Sequence, residues 1–285
     1  MSPSRSEPGR GRSAPAIPTP GTAQATLLNI VGDIVHPSRV PVATSVFLAA
    51  MAELGHTEPA IRQAIARCAA AGWISKERVG RSTRWALTAR GIRLVEDGVA
   101  GVEQLSDPHT DWDGRWRILV VTIPNEQRSI RDRVYRALRW DGFGNPLGSV
   151  WVSPHLNRQR RTTAAITGAG LLNSTLSFVG TADDLGLSVG EIVDRAWNLD
   201  DLESIYNTLI ERFERMAPTT DAAHFEALLR LDEELQNLLV IDPHLPRALS
   251  GAWTGRQSAE RLLHLRSIWH GPAERHWAQL LIEHS

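Results

Sequence analysis

Cysteine is nearly missing from this chain: its 285 residues include one, Cys68, beside two tyrosines, three methionines and a single lysine, Lys76. A lone thiol excludes an internal disulfide framework and suits a reducing cytoplasm. Cys68 falls among alanines in a helical pattern, where a buried, unreactive thiol is expected. Long apolar runs are missing too, so neither a signal peptide nor a membrane span is expected. A dominant charge is absent as well, since the formal sum is -1. That balance hides two opposite segments. Between Thr57 and Arg93 eight basic residues face two acidic ones, whereas between Asp200 and Leu235 ten acidic residues face three arginines. With 42% apolar residues the chain can build real cores, and its length favours two or three of them.

Residues 1–24 read as a disordered tail, because five prolines, three glycines and four serines crowd the first 21 positions with little to bury. Ala25 to Val35 has helical spacing and is expected to end at His36-Pro37. A second helix follows from about Ala43 to Leu54, stopped by Gly55. Thr57 is a candidate N-cap for a third, with Pro59 in its first turn and Gly72 at its end. On that helix Ala60, Ile61, Ala64, Ile65 and Cys68 form the inward stripe, which leaves Glu58, Arg62, Gln63, Ala66 and Arg67 facing outward. The stretch "GWISKERVGRSTRWALTARG", Gly72 to Gly91, reads as two short strands around a Gly-Arg-Ser turn, a basic hairpin. An amphipathic helix from Thr88 fades by Ser106-Asp107-Pro108.

A second unit opens near Trp112. "RWRILVVTIP" reads as a buried strand, an Arg-rich helix follows to Trp140, and "GFGNPLGSVWVSPH" reads as a glycine-rich turn into a strand at Ser149 to Ser153. A helix over about 158–172 and a strand at 174–180 complete an alternation that implies a small ferredoxin-like sandwich. From Val189 on the signals are helical, at 200–216, 224–239, 256–269 and 272–282. The expected class is a multidomain α+β protein: an N-terminal winged helix-turn-helix over 25–107, a central ferredoxin-like domain over 112–183 and a helical C-terminal domain over 189–285.

The segment "WDGRWRILVVTIPNEQRSIRDRVYRALRWDGFGNPLGSVWVSPH", Trp112 to His155, resembles the centre of the PaaX family, bacterial repressors of phenylacetate catabolism. "RAWNLDDL" and "VIDPHLP" resemble that family's later motifs, and the likeness runs from about Leu27 to Trp277. The resemblance implies a dimeric, cytoplasmic repressor that binds double-stranded operator DNA, with the central domain as its dimerisation or linker unit. It also implies release by an aryl-acyl-CoA effector such as phenylacetyl-CoA, although another small-molecule effector stays open.

In a winged helix the recognition helix enters the major groove, where Arg suits guanine and Gln suits adenine. Arg62, Gln63 and Arg67 are the base-reading candidates. Thr57 and the first amides of that helix suit a phosphate, and Arg78, Arg81 and Arg84 of the wing suit phosphates or a narrow minor groove. A CoA thioester needs cations for its phosphates and an apolar or aromatic pocket. Arg115, Arg117, Trp140 and His155 are the effector candidates. No catalytic residue, metal site or cofactor is expected. The middle unit resembles in fold the small CRISPR-adaptation nucleases, but its first strand ends Thr122-Ile123-Pro124, where those place a metal-binding aspartate. His264, His270 and His276 are spaced by six, which does not gather them on one helical face. The acidic helices after Asp200 offer an alternative role in contacting a protein partner or the chain's own basic half.

Overall fold

A computed structural model describes residues 21–79, 82–106, 111–124, 126–251 and 253–284. The expected tail therefore lies outside the described residues up to position 20. Its last residues are ordered: the Thr22 side chain accepts a hydrogen bond from the Ala25 amide and caps α1, Ala23–Ile30. The helix does not stop before His36-Pro37. It continues through a π turn, Val31–Val35, into α2, His36–Ser38, and ends where Arg39 turns left-handed at φ 53°. Pro37 cannot donate to the Asp33 carbonyl one turn back, and the His270 ring takes that carbonyl at 3.2 Å.

Strand β1, Val42–Ala43, leads into α3, Thr44–Glu53, and the left-handed Gly55 turns the chain toward α4, Glu58–Ala70. Gly72, at φ 72°, ends α4 and starts the hairpin of β2, Ile74–Val79, and β3, Ser82–Leu87. The strand β1 was not anticipated. It pairs with β3 and makes the hairpin a three-stranded antiparallel sheet of order β1-β3-β2. Thr88 fixes the following helix, α5 (Ala89–Glu103), by accepting from the Gly91 amide while donating to the Gly72 carbonyl at 2.6 Å.

The middle unit runs β4 (Arg115–Val121), α6 (Arg128–Trp140), β5 (Gly144–Leu147), β6 (Val150–Ser153), α7 (Arg160–Gly168) and β7 (Thr175–Thr181). Its sheet has the order β5-β6-β4-β7, with every neighbouring pair antiparallel. The glycine-rich turn expected after α6 is in fact β5. One face of the sheet carries Leu119, Val121 and Trp151 against Val134, Leu138 and Ile166 of the helices. The other carries Trp116 and Val152 against Val193 of α8 (Val189–Ala196) and against Leu245 and Leu249, the latter in α11 (Arg247–Ser250).

The remaining helices are α9 (Leu199–Glu214), α10 (Asp221–Ile241) and α12 (Gly255–His284). The two helices expected at the end are one, with Pro272 inside it. The bond that Pro272 cannot make would have gone to Ile268, on an exposed part of the helix where water can take the carbonyl. Buried Trp269, Ala273 and Trp277 hold the helix on both sides of the proline.

The first and last parts of the chain share one hydrophobic core. Leu27, Ile30, Phe47 and Met51 belong to the same buried cluster as Tyr206, Phe225, Leu228, Leu262 and Trp277. The Phe47 and Trp277 rings lie 6.0 Å apart. Across this seam Arg266 of α12 reaches Asp33 of the π turn at 2.6 Å and Asp232 of α10 at 2.7 Å. Burial first, and then the charge of Asp33, push the Asp232 carboxyl well above the usual carboxylate range. His276 contacts Glu53 of α3 at 2.7 Å on the same seam.

Removing one partner from a buried ion network strands the other charge. Arg266→Met is expected to lower unfolding stability by about 3 kcal/mol, read as a shift in the urea midpoint. A midpoint within the scatter of wild type would show that the network contributes nothing.

Candidate nucleic-acid interface and the junction behind it

The outward face of α4 follows from its inner one. Ile61, Ala64, Ile65 and Cys68 are buried, so Arg62, Gln63, Ala66 and Arg67 are carried into solvent. The Cys68 thiol is pushed up to about 12 by burial, consistent with an inert core group. Thr57 is exposed at the N-cap and its side chain makes no capping bond there. The first amides of α4 are consequently not taken by that side chain, which is what a phosphate oxygen at a helix start needs. Arg62 is already engaged: its Nε and a terminal nitrogen both lie 2.7 Å from Oε1 of Glu58, one turn back. The fork of Arg62 must swing off Glu58 to meet a base.

The hairpin follows α4 after a tight turn, anchored where the Trp73 amide donates to the Cys68 carbonyl. Lys76 and Arg78 are exposed on β2. Arg81 lies outside the described residues. Arg84 is placed differently from Arg78: it is half-buried on the central strand, opposite Glu77 on one side and Ala43 on the other, with its Nε unpartnered. On the central strand of three, Arg84 is less exposed than the two-stranded hairpin of the sequence pattern implied.

The four effector candidates do not form one cluster. Arg115 is exposed and its guanidinium is taken by Asp113 at 2.6 Å. Arg117 is half-buried and donates to the Leu156 carbonyl at 3.1 Å, with its Nε unpartnered. Trp140 closes α6, and the guanidinium of Arg161 stacks 3.8 Å above its ring. His155 is buried, and its Nε2 donates to the Pro243 carbonyl at 2.9 Å. Burial, then the charge of Arg158, hold the His155 ring down at about 4.

What the structure does bring together is the set of sequence motifs. His155 of "VWVSPH" is bonded to Pro243 of "VIDPHLP", and Gly142 of "GFG", at φ 81°, is wedged against both. A Cβ on Gly144 would lie 2.5 Å from the ring of Trp197 in "RAWNLDDL" and 2.6 Å from the Ala196 carbonyl, so no other residue fits. Asp242 accepts from the Tyr206 hydroxyl at 2.8 Å, and Asp141 accepts from the Thr162 amide at 2.7 Å. Arg158 donates to Gln104, just past α5, at 2.6 Å. The first, middle and last parts of the chain therefore meet around Arg158 and His155. Sequence reasoning missed Arg158, Arg161 and Asp141, although they flank motifs it quoted.

The acidic helices are less available than their sequence implies. Arg261 pairs with Glu214, Arg275 with Asp221 and Arg212 with Glu234, each at 2.6 to 2.8 Å. Two of these arginines come from α12, far along the chain. Among the described residues no group of three or more His, Cys, Asp or Glu could hold a metal ion. No helix among them is long and apolar enough to cross a membrane.

Three family models match consecutive segments. One described as PaaX-like protein matches residues 22–91, one described as PaaX protein central Cas2-like domain matches 109–188, and one described as PaaX-like protein C-terminal domain matches 197–279. A curated relative, the transcriptional repressor PaaX of Escherichia coli strain K12, is 24% identical over 262 residues, spanning 88% of this chain and 80% of that one. Among solved structures an uncharacterized protein from Mycobacterium tuberculosis shares the fold. It has a TM-score of 0.61 at 17% identity, covering 90% of this chain and 99% of the other.

The depressed His155 has a consequence in acid. The folded state keeps the ring neutral, whereas the unfolded chain binds a proton at its ordinary value of 6.5. The stability contribution is whole above pH 6.5 and is lost as pH falls toward 4, by about 3 kcal/mol. Between pH 7 and pH 4.5, His155→Gln is expected to lose less unfolding stability than wild type in urea titrations. Parallel losses in the two proteins would place the acid sensitivity elsewhere.

Proposed function

Since the chain belongs to the PaaX family, we propose that it is a transcriptional repressor that binds double-stranded operator DNA, and that it is a regulator rather than an enzyme. The observation that carries this reading is the pairing of α4 with the basic hairpin. Arg62, Gln63 and Arg67 stand on the open side of a helix whose start is not capped by its threonine, and the next exposed cations, Lys76 and Arg78, lie on the strand that follows. A helix of this kind fits the major groove, and a hairpin of this kind grips the adjacent backbone. The description of the Escherichia coli relative as a repressor agrees with it.

The N-terminal part, 25–107, is read as a winged helix-turn-helix, with α4 as recognition helix and β2–β3 as wing. In the groove Arg62, Gln63 and Arg67 contact bases. Thr57, Arg78 and Arg81 contact phosphates, and Arg84 steadies the wing from within. The middle, 112–183, is read as ferredoxin-like, supported by the placing of its strands in the order fourth, first, third, second. The helical remainder, 189–285, backs the reader through their shared core. The protein works as a cytoplasmic homodimer.

Release follows binding of an aryl-acyl-CoA thioester such as phenylacetyl-CoA. An effector that prefers the DNA-incompetent arrangement lowers operator affinity by that preference, and DNA lowers effector affinity equally. Of the expected effector residues, Trp140, with Arg161 over its ring, and Arg117, with an unpartnered Nε, offer the aromatic surface and free donors. Arg115 and His155 are engaged within the protein and shape the surroundings.

Two measurements test this reading. Arg62→Ala is expected to cost about 1–3 kcal/mol on operator DNA and much less on random duplex, whereas Arg78→Ala weakens both and reduces the salt slope by about 1. Equal losses on both DNAs for Arg62→Ala would remove α4 as the sequence reader. In an operator gel shift titrated with aryl and alkyl acyl-CoA thioesters, aryl-acetyl thioesters should release the DNA first. Release by none of them overturns the effector class and leaves DNA binding standing.

A further inference from the structure

Helix α6 carries five arginines against one carboxylate, Asp132, and α7, packed beside it, opens Arg160-Arg161 and holds no acidic residue. Val134 and Leu138 fix the inner side of α6 in the core, which leaves Arg133 and Arg136 exposed on the opposite side. Arg160 is exposed as well. Asp132 lies 4.0 Å from Arg128 and answers that arginine alone. Among the described residues Arg133, Arg136 and Arg160 meet no carboxylate. Helix arginines elsewhere are answered: Arg212, Arg230, Arg261 and Arg275 each hold a glutamate or an aspartate. Arg133 and Arg136 stand three apart, a spacing at which like charges repel, so the face costs stability that nothing within the chain offsets.

We propose that this arginine face of α6 and α7 is a second DNA contact, which holds the phosphate backbone of the duplex outside the segment that α4 reads. Guanidinium forks with no carboxylate to hold fit phosphate oxygens, each fork giving two N–H bonds to one group. Contacts of that kind carry no sequence choice and add affinity that falls with salt. The face also stands beside the reader. Thr88, at the start of α5, donates to the Gly72 carbonyl just past α4, and Gln104, at the other end of α5, accepts from Arg158 just before α7. Between those ends α5 spans about 22 Å, less than one turn of duplex at about 34 Å. One further turn of duplex beyond α4 is therefore long enough to meet the α6–α7 layer. The acidic helices of a second copy are a poorer occupant, because their carboxylates already hold Arg212, Arg261 and Arg275.

This contact rests on the DNA-binding reading above and adds a surface to it. The test uses the full chain and a duplex that the protein itself selects from a random library. That duplex is prepared in two forms, trimmed to the selected core and extended by about one helical turn, roughly 10 base pairs, on each side. Each arginine on a phosphate adds about 0.9 to the slope of log affinity against log salt, so Arg133→Glu/Arg136→Glu/Arg160→Glu should bind the extended duplex with a slope shallower by about 3. On the trimmed duplex its affinity and slope should match wild type, which also shows that the variant is folded. Arg195→Glu/Arg215→Glu/Arg247→Glu makes the same charge change at other exposed arginines and should leave both slopes unchanged. A slope on the extended duplex that stays at the wild-type value, or that falls equally in both triple variants, overturns the second contact and leaves α4 as the reader. A wild type that selects no duplex from the library overturns the DNA reading, and this surface with it.

Discussion

Much of this molecule depends on one guanidinium. Arg266 bridges carboxylates from the π turn near the start of the chain and from α10 near its end, within a largely apolar seam. Ions in such places are weak sources of stability, because desolvation consumes most of the attraction. They are strict about geometry. Apolar faces of two helical layers can slide past each other at little cost, whereas Arg266 accepts only the placement that satisfies Asp33 and Asp232 together. His276 and Glu53 repeat the constraint nearly three turns further along α12. The placing of the N-terminal helices is therefore set from behind, by α10 and α12.

The sequence phrases that carry the family resemblance gain a common explanation from the same geometry. They are not a row of ligand groups. Gly142 gives the backbone a left-handed turn beneath His155, Gly144 lets β5 lie against Trp197, and His155 reaches over to Pro243. Each phrase is one side of a contact whose other side is another phrase. With Arg158 reaching Gln104 beside α5, the junction touches the reader, the sheet and the final helices at once.

How much of this was legible beforehand varied with the range of the forces involved. The limits of α4 were readable because Thr57, Pro59 and Gly72 act within a turn of themselves, and the inward stripe ending at Cys68 follows from helical spacing alone. The alternation of strands and helices between Trp112 and Gly180 was readable for the same reason. Pairings between distant residues were not. Two-residue β1 exists only because β3 is there to receive it, and Pro146 within β5 conceals a strand that edge position allows. Pro272 read as a break, yet buried neighbours on either side carry the helix through it. The acidic surplus after Asp200 looked like an open surface because Arg261 and Arg275, which answer it, come more than forty residues later. Arg84 looked like a cation of an edge strand because β1, which makes its strand central, lies on the far side of two helices in sequence.

The shared core also bears on how such regulators can diversify. A reader with its own closed interior can be traded between proteins as a cassette, and recognition then evolves by exchange. Here the underside of α1 and α3 is completed by α10 and α12, so a transplanted reader would arrive with an open interior and a misaligned set of charges. Change is left to arise in place, at outward positions such as 62, 63 and 67, where side chains can vary without disturbing what lies beneath. Lineages of this architecture should inherit their two ends as a pair.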